Sequence, residues 1–200
     1  MSKYIQFVPA SLLAVFALVS PVNAADPTTL ASFDIPAPNN VGGGFGAFSP
    51  KAEEATFITV ETLDDKVKQG AEGASMRLDY NVGKPGAFNG FWMKLGPEDV
   101  ANNFDASAFT KMTFFIKGDT AIGIPGKVKV EIKGDPGTPI GRHYVSTIND
   151  DWTKIEVPLK EMTDQRVDLT KLNEVVFVFE NAQAAPGVKG SIWIDDIKFE

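Results

Sequence analysis

Lys127-Val128-Lys129-Val130-Glu131-Ile132-Lys133 alternates charged and branched apolar residues at every step. A period of two belongs to a strand with one face buried, so Val128, Val130 and Ile132 turn to a core while the charges turn to water or to a ligand. Val175-Val176-Phe177-Val178-Phe179 has no polar face. It predicts a central strand covered on both sides, the most buried in the fold. Outward from these two runs, period-two patterns predict strands over 29–33, 56–63, 75–82, 88–95, 111–117, 127–133, 142–148, 152–157, 174–180 and 191–199. Between them lie turn signals such as Lys84-Pro85-Gly86, Ile124-Pro125-Gly126 and Ala185-Pro186-Gly187, each pairing a fixed φ with a permissive glycine. Short helical turns are predicted only over 97–102, 158–162 and 169–172. The fold class is all-β: a two-sheet β-sandwich, or jelly roll, of about ten strands.

Composition narrows the chemistry. The 200 residues carry 19 basic and 26 acidic side chains, a net charge of −7, which repels a nucleic-acid backbone. With no Cys and a single His, His143, thiol nucleophiles, disulfides and Cys/His zinc sites are excluded. Residues 1–24 place Lys3, the apolar run 12–19, Ser20-Pro21 and the small-residue site Val22-Asn23-Ala24 in the order of a signal peptide cleaved after Ala24. The eight apolar residues are too few to span a bilayer, which takes about 20. The expectation is a periplasmic or secreted protein whose residues 25–200 form one domain.

Several motifs occur in an order that resembles the jelly-roll carbohydrate-binding modules of the galactose-binding-like fold, most nearly carbohydrate-binding module family eleven. They are Phe33-Asp34 followed by Gly42-Gly43-Gly44-Phe45-Gly46; Phe104-Asp105-Ala106-Ser107 leading into Met112 to Asp119; Asp151-Trp152-Thr153-Lys154-Ile155-Glu156-Val157-Pro158-Leu159; and the closing Ile192-Trp193-Ile194-Asp195-Asp196-Ile197-Lys198-Phe199. The resemblance covers nearly all of residues 25–200 and implies a non-catalytic module that binds a polysaccharide or oligosaccharide. It departs in one respect: such modules usually accompany a catalytic domain, and this sequence contains none. The resembling modules often hold a structural calcium where first and last strands meet. Asp34 at the end of the first strand and Asp195 and Asp196 in the last offer the hard oxygens calcium prefers. The alternative is that Asp196 hydrogen-bonds a backbone turn.

A sugar-binding face needs aromatic platforms and planar hydrogen-bonding groups outside the core. In 75–81, Met76, Leu78 and Tyr80 claim the core and leave Arg77 and Asp79 on the other face. In 88–95, Phe91, Met93 and Leu95 do the same and leave Trp92 and Lys94. Arg142 and Tyr144 alternate with His143 and Val145. Trp92 among charged neighbours is a candidate to stack on a pyranose, the alternative being that it packs under the glycine-rich stretch. Trp92, Arg142 and Tyr144 share a surface if their strands share a sheet, with Arg77, Asp79 and Lys94 as further candidates. The acidic chain favours a neutral glycan over a sulfated or uronic one.

Other chemistries find less support. Gly42 to Ala47 satisfies G-x-G-x-x-[GA], but Ser49-Pro50 follows where a dinucleotide site needs a helix N-terminus; the stretch reads as a flexible loop, with Phe45 and Phe48 along a cleft rim. A triad would have to use His143, and no nucleophile elbow is present; His143 reads as a strand residue near a sheet edge. The acidic pairs Glu53-Glu54, Asp64-Asp65 and Asp150-Asp151 sit beside turns as solvated loop charges. An envelope or matrix module that binds another protein is the second functional expectation, and a glycosidase or lyase the least favoured.

Overall fold

The computed structural model describes residues 25–50, 58–97 and 104–200, so the expected export segment, 1–24, lies outside the described residues, as does all but the first residue of the helical turn expected at 97–102. Among the described residues eleven strands form two antiparallel sheets. They are β1 (Thr28–Ala31), β2 (Phe45–Phe48), β3 (Thr59–Asp64), β4 (Ser75–Asn81), β5 (Phe88–Lys94), β6 (Lys111–Gly118), β7 (Val128–Lys133), β8 (Ile140–Val145), β9 (Thr153–Pro158), β10 (Glu174–Glu180) and β11 (Lys189–Phe199). The front sheet runs β2-β5-β10-β7-β8; the back sheet runs β3-β4-β11-β6-β9, with β1 also on β11. The all-β sandwich expected from the alternation is the observed fold.

The long strand β11 ties the back sheet together. Its first half pairs with β4 up to Ile194↔Met76, and its last residues pair with β1 from Ala31↔Ile197. At the change of neighbour the register slips between Asp195 and Lys198, and Asp196 takes φ +51. The slip is in the pairing with β6, so the bulge on that edge lies level with the change of partner on the other.

Inward residues of both sheets make a single core. Phe177 of β10 meets Phe114 of β6 edge to face, ring centroids 5.1 Å apart, and Tyr80 stacks on Phe179 at 4.2 Å. The Tyr80 hydroxyl donates to the Gly187 carbonyl at 2.6 Å, and burial pushes its pKa up. β10 is central in its sheet and buried from Val175 through Phe179, as its two-sided apolar sequence requires.

Three local expectations change. The stretch 42–47 is not simply a flexible loop: Gly42, at φ +83, turns the chain and Phe45–Phe48 pairs with β5. Phe45 anchors it, packed against the core 5.9 Å from Phe33 and 5.8 Å from Phe91 rather than along a rim. A four-residue strand with a glycine at one of its four positions is too short to show a period. The strand expected at 142–148 is shifted to Ile140–Val145. A short helix, α2 (Asn181–Ala184), follows β10 where none was expected.

The two sheet edges β8 and β9 are bridged at one end by helix α1 (Leu159–Asp164), which starts directly after Pro158, and a 3-10 turn (Leu169–Lys171) follows it. Leu159 and Met162 form the buried side of α1, and Gly141 of β8 admits Met162, whose sulfur a Cβ there would strike. His143 lies on this edge strand, as expected, with Nδ1 2.7 Å from Glu161. Among the described residues no helix is long and apolar enough to cross a membrane.

The core contact between Phe114 and Phe177 sets a stability expectation. Phe177→Ala removes a fully buried ring and leaves a cavity between the sheets, which should cost about 3–5 kcal/mol in urea unfolding at equal m-value; a loss below about 1 kcal/mol would contradict the core described here.

Candidate functional site

On the outer face of the front sheet the register aligns residues in rows across the strands. One row reads Phe48, Gly90, Val178, Lys129, Tyr144; the next reads Gly46, Trp92, Val176, Glu131, Arg142. In both rows aromatic residue and glycine face each other across β2 and β5. A Cβ on Gly46 would lie 3.3 Å from the Trp92 ring, and one on Gly90 would lie 2.9 Å from the Phe48 ring. Each glycine therefore leaves room for the opposite ring to lie over the sheet. Trp92 sits against the glycine-rich segment, as the alternative to a ligand role anticipated, yet it is only partly buried and remains on the open face. Phe88, 48% exposed, extends the aromatic side along β5.

The opposite half of the face is charged. Lys94 and Lys133 both reach Glu174, at 2.6 and 3.4 Å; Lys133 and Lys129 both reach Glu131, at 3.2 and 3.0 Å; Lys129 also reaches Glu180 at 2.6 Å. The Arg142 Nε lies 3.8 Å from Glu131, and the Tyr144 hydroxyl donates to Glu180 at 3.3 Å. Burial works to raise the Glu131 pKa, but Lys129 and Lys133 outweigh it and hold the carboxyl below its ordinary range. Burial likewise works against the Lys129 charge, and Glu180 and Glu131 more than restore it. For Tyr144, burial and then the charge of Glu180 raise the phenol pKa. Lys94 also lies 5.9 Å from the centre of the Trp92 ring, joining the charged half to the aromatic one.

Four of the expected residues, Trp92, Lys94, Arg142 and Tyr144, therefore share one sheet face. Trp92 and Arg142 are three strand steps apart, about 14 Å at the usual spacing of 4.8 Å. Arg77 and Asp79 do not join them. They project from β4 on the outside of the back sheet, where Arg77 pairs with Asp79 at 2.9 Å and stacks 5.3 Å from the centre of Trp193. Ser191 donates to Asp79, and the Trp193 indole donates to Asp64 at 2.9 Å. Alternation along β4 assigns these residues to an outer face but carries no information on which sheet β4 joins. Lys129, Glu131, Lys133, Glu174 and Glu180 were not among the candidates, and Phe48 was expected only along a cleft rim, though the alternation of 127–133 had already placed three of them on the face turned to water or a ligand.

Comparison with known proteins identifies the family. The model of the carbohydrate binding domain, family 11, matches residues 17–184. The chain belongs to carbohydrate-binding domain family 11. As membership in that family states, it is a domain that binds carbohydrate. Among solved structures this family 11 domain is similar to the family 11 module of a cellulosomal cellulase of Clostridium thermocellum, with 17% identity over 88% of this chain and 95% of that one and a TM-score of 0.59. A family 11 module of the same organism in complex with a β-1,3-1,4-mixed-linked tetrasaccharide gives 17% identity over 86% and 94% of the two chains and a TM-score of 0.57. A family 30 module of another cellulosomal cellulase of that organism gives 15% identity over 88% and 98%, with a TM-score of 0.61. No curated protein sequence matches the domain.

The carboxylates expected to hold calcium lie on the back sheet of this family 11 domain. Asp195 accepts from the Gln69 N–H at 3.0 Å and from the Asp196 N–H at 2.8 Å; burial, with the neighbouring charges of Asp196 and Asp34, pushes its pKa up to about 6. Asp34 accepts from the Ala74 N–H at 3.3 Å, so the two carboxylates hold the middle and the far end of the β3–β4 loop. Asp196 pairs instead with Lys198 at 3.1 Å. Among the described residues no three His, Cys, Asp or Glu side chains stand together as a metal site.

The glycine beneath Trp92 can be tested directly. Gly46→Val should lift the indole from the sheet, giving a red-shifted Trp92 emission, isolated as the difference from Trp92→Phe, and a stability loss of about 1–3 kcal/mol; unchanged emission would show that Trp92 does not rest on this glycine.

Proposed function

We propose that this domain binds a neutral polysaccharide of the β-glucan type on the outer face of the front sheet, its chain running along the rows from Phe48 and Trp92 toward Arg142 and Tyr144. The observation that carries this reading is the pair of reciprocal aromatic–glycine contacts, which supply rings over the sheet within reach of the apolar faces of successive sugar rings. The charged half supports the same reading. Every cation there lies against a carboxylate, so the face offers hydrogen-bonding groups rather than a free charge for an ionic ligand. The Arg142 side chain, 48% exposed, is the donor best placed to reach sugar hydroxyls with its planar fork. The mixed-linked tetrasaccharide bound by the family 11 module of Clostridium thermocellum makes mixed-linkage β-glucan the first probe.

The proposal is for binding without catalysis. Glycoside hydrolysis needs a carboxylic acid of raised pKa at the scissile bond, whereas Glu131, the most buried carboxylate of this face, is held in the opposite direction by Lys129 and Lys133. In affinity electrophoresis through mixed-linkage β-glucan the wild type should be retarded, with Trp92→Ala weakening retention about tenfold and Arg142→Ala less. Retention unchanged by both substitutions would move the site off this face.

A structural calcium is a second, separate proposal. The donor set fits in part: Asp34 and Asp195 are close enough to interact electrostatically and offer hard oxygens, and Asp195 is 3% exposed. Asp196, turned to Lys198, would stay outside the coordination. Bound calcium would supply the missing positive charge beside Asp195. At about a hundredfold excess over its dissociation constant it should add about 2.7 kcal/mol, read as a melting temperature that rises with calcium and falls with chelator; a melting curve indifferent to both rejects the ion.

A further inference from the structure

The rows of the front face run across the strands and end at β8, an edge strand. Four steps between five strands give the face a width of about 19 Å, so a polysaccharide lying along a row runs off the sheet past Tyr144. Beyond that edge lies the seam between the two sheets, where β8 of the front faces β9 of the back. α1 fills one end of the seam. The other end is open, a cleft of about 250 Å³ walled by 143–147 on one side and 153–156 on the other. Tyr144 belongs to both places, with its hydroxyl on the front face bonded to Glu180 and its residue lining the cleft.

The charged groups of the cleft are already taken. His143 lies 2.7 Å from Glu161, Lys154 3.1 Å from Glu200, and Glu156 2.6 Å from Lys111. Ser146, Thr147 and Thr153 bring hydroxyls, over a floor that includes the buried Val145 and Ile155. The main chain adds to them. The Arg142 N–H donates to the Gln165 side-chain oxygen at 2.9 Å and the Arg142 carbonyl accepts from the same amide at 2.9 Å, so these groups point away from β7. Alternation along an antiparallel strand turns the N–H and carbonyl of Tyr144, two residues on, the same way and toward the cleft. A compensated wall, neutral hydroxyls and the outward-turned N–H and carbonyl of Tyr144 suit a neutral, hydroxyl-rich ligand.

We infer that the open half of the β8–β9 seam is an extension subsite for the same polysaccharide, taking the sugar units that overrun the front face at Tyr144. The inference rests on the reading proposed above. A peptide strand added to β8 is the other candidate occupant, but Gln165 seals the edge at Arg142 and leaves too short a run of free backbone for a stable ladder. The glycan instead arrives from a face with which the cleft is continuous.

The test compares a mixed-linkage β-glucan tetrasaccharide with the corresponding octasaccharide by titration calorimetry, on wild type, Trp92→Ala and the triple variant Ser146→Ala, Thr147→Val, Thr153→Val. All three substitutions are on partly or fully exposed residues and keep the strand-compatible shapes. Wild type should bind the octasaccharide more tightly than the tetrasaccharide. The triple variant should weaken octasaccharide binding about three- to tenfold and leave the tetrasaccharide unchanged, whereas Trp92→Ala should weaken both. Equal octasaccharide affinity in wild type and triple variant, with Trp92→Ala still weakening both ligands, overturns the subsite and leaves the front face standing. Binding of neither ligand by the wild type overturns the parent reading and the subsite with it.

Discussion

Val176 and Val178 point out of the sandwich and are nevertheless 1% and 4% exposed. The rest of the front face is organised around that burial. β10 is apolar on both sides because it is central in its sheet, and its outer valines have no second sheet to cover them. Their flanking positions are Trp92 and Glu131 for Val176, and Gly90 and Lys129 for Val178. Cover therefore comes from a ring on one side and from the aliphatic stems of charged residues on the other, with the charged ends turned to one another. This explains why Lys129 and Glu131, side chains of a nominally wet face, are only 11% and 10% exposed. Charges buried to that degree are tolerable only when paired, and the lattice of Lys94, Glu174, Lys133, Glu131, Lys129 and Glu180 leaves none of its members alone.

What was legible in the sequence follows from what a period of two can encode. It assigns each residue of a strand to the inside or the outside, and it did so correctly for Met76, Leu78 and Tyr80 against Arg77 and Asp79, and for Phe91 and Met93 against Trp92 and Lys94. It does not say which sheet a strand joins. Arg77 and Trp92 are both outward, yet they lie on opposite sides of the molecule because β4 pairs with β11 and β5 with β10. Short elements escaped for a different reason. Phe45-Gly46-Ala47-Phe48 has two residues on each face, one of them a glycine, and its strand pairing is secured by contacts between distant segments: Phe45 with Phe33 and Phe91, Gly46 with Trp92. The ion-pair lattice was hidden likewise, since Lys94, Glu131 and Glu174 come together only through the registers of β5, β10 and β7.

The back sheet shows the same pairing principle used for structure. Arg77, Asp79, Ser191 and Trp193 close a network on its outer side, Trp193 being 5% exposed with its indole N–H satisfied by Asp64. Among the described residues no buried side-chain polar atom lacks a hydrogen-bond partner. Asp195 differs in kind: burial first, and then the negative charges of Asp196 and Asp34, favour its protonated form and outweigh the backbone N–H groups of Gln69 and Asp196, which favour the carboxylate.

The two halves of the front face thus have different physical characters. The aromatic half is built on glycines, so its rings can lie over the sheet; flat apolar surface attracts a sugar ring with little demand on azimuth. The charged half is built on long side chains pinned to each other, so its donors and acceptors are held in position before any ligand arrives and the ordering cost of binding is correspondingly lower. An arrangement with stacking at one end and oriented hydrogen bonds at the other distinguishes the two directions of an asymmetric chain. A polysaccharide, whose reducing and non-reducing ends present different hydroxyls to such a surface, should therefore bind in a single polarity. On the proposed reading the aromatic half would supply most of the attraction, and the lattice from Lys94 to Arg142 the selection.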